Sequence, residues 1–137
     1  MRIILAALLI ALTMSGCFKS EAPKCSDAEV QATVKNVYIQ MLDNIHNSGN
    51  ILLASFSANL PAKMQELSSI RAIAYDDVVK LRSCKATASF DANQTVSIAY
   101  TVQLNEEDSD EYYVELESDF VEVLMQESLM KGIFDKN

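Results

Sequence analysis

Thr95-Val96-Ser97-Ile98-Ala99-Tyr100-Thr101-Val102-Gln103-Leu104 alternates from end to end. A period of two puts Val96, Ile98, Tyr100, Val102 and Leu104 on one face of a strand and Thr95, Ser97, Ala99, Thr101 and Gln103 on the other. One apolar face and one wet face predict an antiparallel sheet rather than a parallel one. Reading outward from this strand extends the same pattern. Arg82, Cys84, Ala86, Ala88 and Phe90 alternate with Ser83, Lys85, Thr87 and Ser89, facing inward from Cys84 on, and Asp91-Ala92-Asn93-Gln94 is a turn-rich break. Before it, Ile70, Ala72 and Ala74 alternate with Arg71, Ile73 and Tyr75, and Asp76-Asp77 begins a turn. After it comes a polar, acidic connection, Asn105 to Glu111, and then Tyr112, Val114 and Leu116 alternate with Tyr113, Glu115 and Glu117. The expectation is a meander of about four strands.

The period changes on either side of the meander. Val30, Val34, Val37, Tyr38, Met41, Leu42 and Ile45 recur at spacings of three and four, which predicts an amphipathic helix from about Asp27 to His46. Ser26 and Glu29 form a capping-box pattern at its start, and Asn47-Ser48-Gly49-Asn50 stops it. Ile51 to Leu60 reads equally as a short helix or an apolar loop, and Ala62 to Leu67, after Pro61, reads as another helical turn or two. At the other end Asp119 is a candidate N-cap with Glu122 three residues on. Val121, Leu124, Met125, Ser128 and Leu129 share a helical face, and Gly132 fits the left-handed residue that ends such a helix; the rival reading carries the fourth strand on through Val121 and Val123. The predicted class is therefore α+β: a long N-terminal helix packed on an antiparallel meander of about four strands, with a short C-terminal helix.

The chain has 137 residues and a formal net charge of −8, from 19 acidic and 11 basic residues. That balance argues against nucleic acid, whose binders carry basic patches, and against electrostatic docking on anionic lipid. It suits a basic protein partner, whose encounter an acidic surface speeds, and equally the commoner case in which the charge does no more than keep a protein in solution.

The first residues carry an address. Met1-Arg2 is a short basic region, Ile3 to Leu12 an unbroken apolar run, and Thr13-Met14-Ser15-Gly16 a mostly small-residue stretch ending at Cys17. This order matches a secretory signal and is too short to span a bilayer. Met14-Ser15-Gly16-Cys17 resembles the lipobox of bacterial prolipoproteins. The resemblance covers residues 1–17 and implies cleavage before Cys17, a diacylglycerol on its sulfur and an acylated new amino terminus. Residues 1–16 would then be the signal peptide, 17–25 the lipidated cysteine and its linker, and 26–137 a single domain. Losing Arg2 with the leader would move the net charge from −8 to −9. Phe18 stands where such lipoproteins carry Asp for inner-membrane retention, so the resemblance favours the outer membrane, facing the periplasm. In that oxidising compartment Cys25 and Cys84, the two cysteines left after Cys17, are expected to form one disulfide. The order of elements over residues 26–117 also resembles the cystatin-like and nuclear-transport-factor-2-like α+β folds, which host many functions and transfer none.

Few residues look chemical. Glu106, Glu107, Asp108, Asp110 and Glu111 lie in an acidic stretch without Lys or Arg and are the candidate contacts for a basic partner; the plainer reading is a solvated hairpin turn whose like charges discourage edge pairing. Oxygen ligands at this density suit Ca²⁺, yet the order of an EF-hand loop and its glycine are missing, so no metal or cofactor is expected. His46, the one histidine, stands at a helix end near Asp43, Ser48 and Ser55 with no nucleophile-elbow motif. Tyr75, Tyr100, Tyr112 and Tyr113 offer aromatic area with a polar handle; alternation sends Tyr100 and Tyr112 to the core and Tyr113 outward. Met41, Met64, Met125 and Met130 read as gap-fillers. The favoured reading is a non-catalytic, lipid-anchored envelope protein that binds a protein, of inhibitor, immunity or secretion and exclusion accessory type. The alternative is a small-ligand carrier with a pocket lined by Val34, Tyr38, Ile98 and Tyr100.

Overall fold

The computed structural model describes residues 21–134. Helix α1 (Ala28–His46) leads, followed by a short helix α2 (Ile51–Ser57), strands β1 (Met64–Asp76), β2 (Leu81–Phe90), β3 (Thr95–Leu104) and β4 (Tyr112–Leu116), and helix α3 (Asp119–Phe134). The four strands form one antiparallel sheet in the order β1-β2-β3-β4. This is the α+β arrangement expected.

The strand that organises the sequence also organises the sheet. Val96, Ile98, Tyr100, Val102 and Leu104 are all buried, and β2 contributes Cys84, Ala86, Ala88 and Phe90 to the same face. The pairing runs unbroken from Leu81↔Gln103 to Ser89↔Thr95, so inward residues meet inward residues at every second position. Helix α1 lays Val30, Val34 and Tyr38 on this face. Each such side chain removed from water stabilises the fold by about 1.5 to 3 kcal/mol. Tyr38 is the pivot. Its ring meets Phe90 edge-on at 5.2 Å and lies 5.9 Å from Phe120 of α3, and its hydroxyl donates to the Pro61 carbonyl oxygen at 2.7 Å. Burial, with the nearby Asp91 carboxylate adding to it, keeps the phenol protonated far above its ordinary range.

Four expectations need correction. The stretch from Met64 to Leu67 is the start of β1, not a helical turn. A register shift between Met64 and Glu66 places the inward residues Met64 and Leu67 three apart, which imitates helical spacing. The Ser26–Glu29 capping box does not form. Asp27 holds the N-cap position without a side-chain bond, and the Ser26 carbonyl instead accepts from Gln31 Nε2. Asp119 is the first residue of α3, and that helix runs through Gly132 to Phe134 rather than stopping there. Within it Val121 and Leu124 are buried as expected, but Leu129 is exposed and Phe120, outside the predicted face, is buried instead.

The fourth correction concerns the segment expected to be a spacer. Residues 22–25 are packed down. Ala22 and Cys25 belong to the core, and Cys25 is bonded to Cys84 (S–S 2.07 Å) across 59 positions of sequence. The expected disulfide is thus present. It fixes Cys25 against the middle of β2, so the residues before it must lie along the sheet.

Candidate functional site

The five acidic residues singled out in the sequence come together in one ordered loop joining β3 to β4. Asn105 builds it. Its side-chain oxygen accepts from the amides of Glu107 (2.8 Å) and Asp108 (3.4 Å), and its Nδ2 donates to Glu111 Oε2 and to the Tyr113 hydroxyl, both at 3.1 Å. Asp108 Oδ1 in turn accepts from the Asp110 amide at 3.0 Å. Such side-chain-to-backbone bonds are how Asn and Asp define turns. Glu106, Glu107, Asp108, Asp110 and Glu111 are thereby carried on one shaped turn and are all exposed to solvent. Among the described residues the salt bridges are Lys80–Asp77 and Arg82–Glu21, and neither involves this loop. No three metal-ligating side chains converge among the described residues either.

A second turn lies beside the loop. The β1–β2 hairpin closes through Asp76, whose Oδ1 accepts from the amides of Val78 (2.9 Å) and Val79 (3.2 Å), with Lys80 in the left-handed region (φ 53°) completing the turn. The two turns are stitched together: the Leu104 amide donates to the Lys80 carbonyl at 3.1 Å, and Gln103 Nε2 to the Val79 carbonyl at 3.2 Å. Between them opens a cleft of about 490 Å³ lined by Val78, Lys80, Leu104, Asn105, Glu106 and Ser109 among others. Val78, at the tip, is 91% exposed. Sequence reasoning passed over Val78-Val79. Their signal was two β-branched apolar residues inside a turn, where Gly, Asn, Asp and Ser are usual.

Sequence reasoning also missed the clamp that holds residues 21–25. Arg82, with its side chain only 16% exposed, donates from Nε to the Pro23 carbonyl (3.1 Å) and from Nη2 to the Ala22 carbonyl (3.0 Å), and it lies 4.5 Å over the Tyr75 ring. The Tyr75 hydroxyl accepts from the Ala22 amide at 3.3 Å, and the Tyr100 hydroxyl donates to the Cys25 carbonyl at 2.7 Å. Burial pushes the Tyr100 phenol up to about 12, so it remains a donor. An arginine on the inward side of β2, next to a cysteine with a distant partner, was the available sign. Replacing Arg82 by Met keeps the stem but removes two charge-assisted bonds, so chemical denaturation should show a loss of about 2 to 3 kcal/mol. A loss under a few tenths would show that the strap is held without it.

The other candidates are dispersed. Tyr75 and Tyr100 hold the strap, Tyr112 is half-buried, and Tyr113 faces out and supports the acidic loop. His46 is exposed at the end of α1, and the hydroxyls of Ser48 and Ser55 donate to the helix carbonyls of Ile45 and Ile51. Val34, Tyr38, Ile98 and Tyr100 are buried in the core with both tyrosine hydroxyls bonded to backbone. Cys17 lies outside the described residues. No family model, curated protein or solved structure matches this chain.

Proposed function

We propose that the chain is a non-catalytic lipoprotein of the bacterial envelope, anchored through Cys17, that binds a basic protein partner through the loop of residues 105–111. The observation that carries the partner reading is the loop itself: five exposed acidic residues on one turn whose backbone Asn105 holds, with no lysine or arginine within ion-pair distance among the described residues. Like charges gathered this way repel one another, and a cationic surface relieves that repulsion. An inhibitor, an immunity protein or an accessory of a secretion or exclusion system would each use such a surface. The lipobox pattern at Met14-Ser15-Gly16-Cys17 supports the anchor, and the Cys25–Cys84 bond is in keeping with an oxidising compartment.

The test is a comparison of two baits in envelope extract, wild type and a variant carrying Glu106→Lys, Glu107→Lys and Asp108→Lys. A partner should be retained by the wild type at low salt, released as ionic strength rises, and captured by the variant at a rate lower by about ten- to a hundredfold. Equal capture by both baits would remove the loop from the interface. For the anchor, labelled palmitate should enter the wild type and not a Cys17→Ser variant.

A further inference from the structure

The clamped strap has a direction. Read from Cys25 back to Glu21, the chain moves from the Cys84 row of the sheet to the Arg82 row, which pairs with Tyr75 and is one pair short of the hairpin turn. The chain therefore leaves the described domain heading for the end that carries the hairpin tip. Only Phe18, Lys19 and Ser20 separate Glu21 from Cys17. Four Cα steps reach at most about 14 Å when fully extended. Val78 stands in the turn two residues beyond the end of β1 at Asp76, at most about 10 Å past Tyr75. The far end of β2, at Phe90, lies eight residues from Arg82, about 26 Å the other way. With the strands upright on the surface that holds Cys17, a tether of this length lets the hairpin end reach that surface, whereas about 26 Å is too far for the Phe90 end to do so.

The hairpin end presents something suited to that position. Val78 is held outward by the Asp76 side chain, next to Val79, which is also exposed. So exposed, the Val78 side chain adds almost nothing to the packing of the described domain, and an apolar residue fixed in solvent at a tip is the kind of group that enters a lipid interface. The acidic residues alongside, from Asp76 and Asp77 to the 105–111 loop, disfavour anionic headgroups, so the fitting surface is a zwitterionic bilayer.

We propose that the β1–β2 hairpin tip, Val78 foremost, is a second membrane contact that rests in the interface of a zwitterionic bilayer beside the acyl anchor. This rests on the reading of Cys17 as the lipidated residue. A partner of the acidic loop would then meet it close to headgroup level.

The chain contains no tryptophan, so one introduced indole reports without background. Val78→Trp and, at the opposite end of the sheet, Thr95→Trp replace exposed residues in the full-length chain, expressed and processed in a bacterium and reconstituted into phosphatidylethanolamine–phosphatidylcholine vesicles containing nitroxide-labelled lipid. Intact mass of the same samples reads acylation. The expected result is an acylated protein in which the indole of the Val78→Trp variant emits at shorter wavelength and is quenched several-fold more than that of the Thr95→Trp variant. An acylated protein in which both indoles are equally unquenched overturns the membrane contact and leaves the anchor standing. A protein carrying no acyl chain overturns the anchor reading, and the contact with it.

Discussion

Replacing Cys25 and Cys84 together by alanine should lower the thermal midpoint by about 15 °C. The bond closes a loop across 59 positions of sequence, for which the chain-entropy model gives about 4 kcal/mol. In a domain of this size each kcal/mol is worth roughly 4 °C. Both cysteines are buried, and alanine introduces no unsatisfied polar group in their place. Circular dichroism on heating, with the wild type measured with and without reductant, checks the value. A shift of only two or three degrees would mean that Arg82 and Tyr100 fasten the strap almost alone and that the bond contributes little.

Tyr38→Ala should cost about 4 kcal/mol, the middle of the range for removing a buried aromatic. Tyr38 has no exposed surface, and its ring bridges Phe90 and Phe120, so the vacated space lies where α1, β2 and α3 meet. Tyr38→Phe keeps the ring but leaves the Pro61 carbonyl without its donor, at a cost of about 1 to 2 kcal/mol. Urea titrations of the three proteins should give midpoints in the order wild type, Phe, Ala, with similar slopes. A Phe variant as stable as wild type would show that the hydroxyl bond contributes nothing net. An Ala variant within about 1 kcal/mol of it would contradict the packing.

How much of this was legible beforehand depends on how local each signal is. Thr95 to Leu104 declared its own faces because a regular strand with one wet side writes its burial directly into alternation, and β2 follows it in register. The start of β1 was misread because a bulge breaks alternation and leaves Met64 and Leu67 at a helix-like interval. Edge strands are where such bulges concentrate, so the fault fell where one should be expected. Phe120 was missed because it is buried by partners from α1 and β2, which no window around α3 contains. The acidic loop was visible as composition, while its order, set by Asn105, was not. The Arg82 clamp is the clearest case of a long-range effect. Its partners Ala22 and Pro23 lie about 60 positions away, brought alongside by the disulfide together with the Tyr75 and Tyr100 bonds.

That covalent link decides how the molecule bears tension. If a partner held at the 105–111 loop is pulled away from an anchored Cys17, the strain travels up the strap and crosses the sulfurs into β2, an interior strand paired on both sides along nearly its whole length. From there it passes to β3 and the loop. Helix α1, which follows Cys25 in the chain, lies off this route and is not unwound by the tug. Reduction would reroute the load through the first turn of α1, so that the helix, rather than the paired strands, is the first element to be drawn from its place.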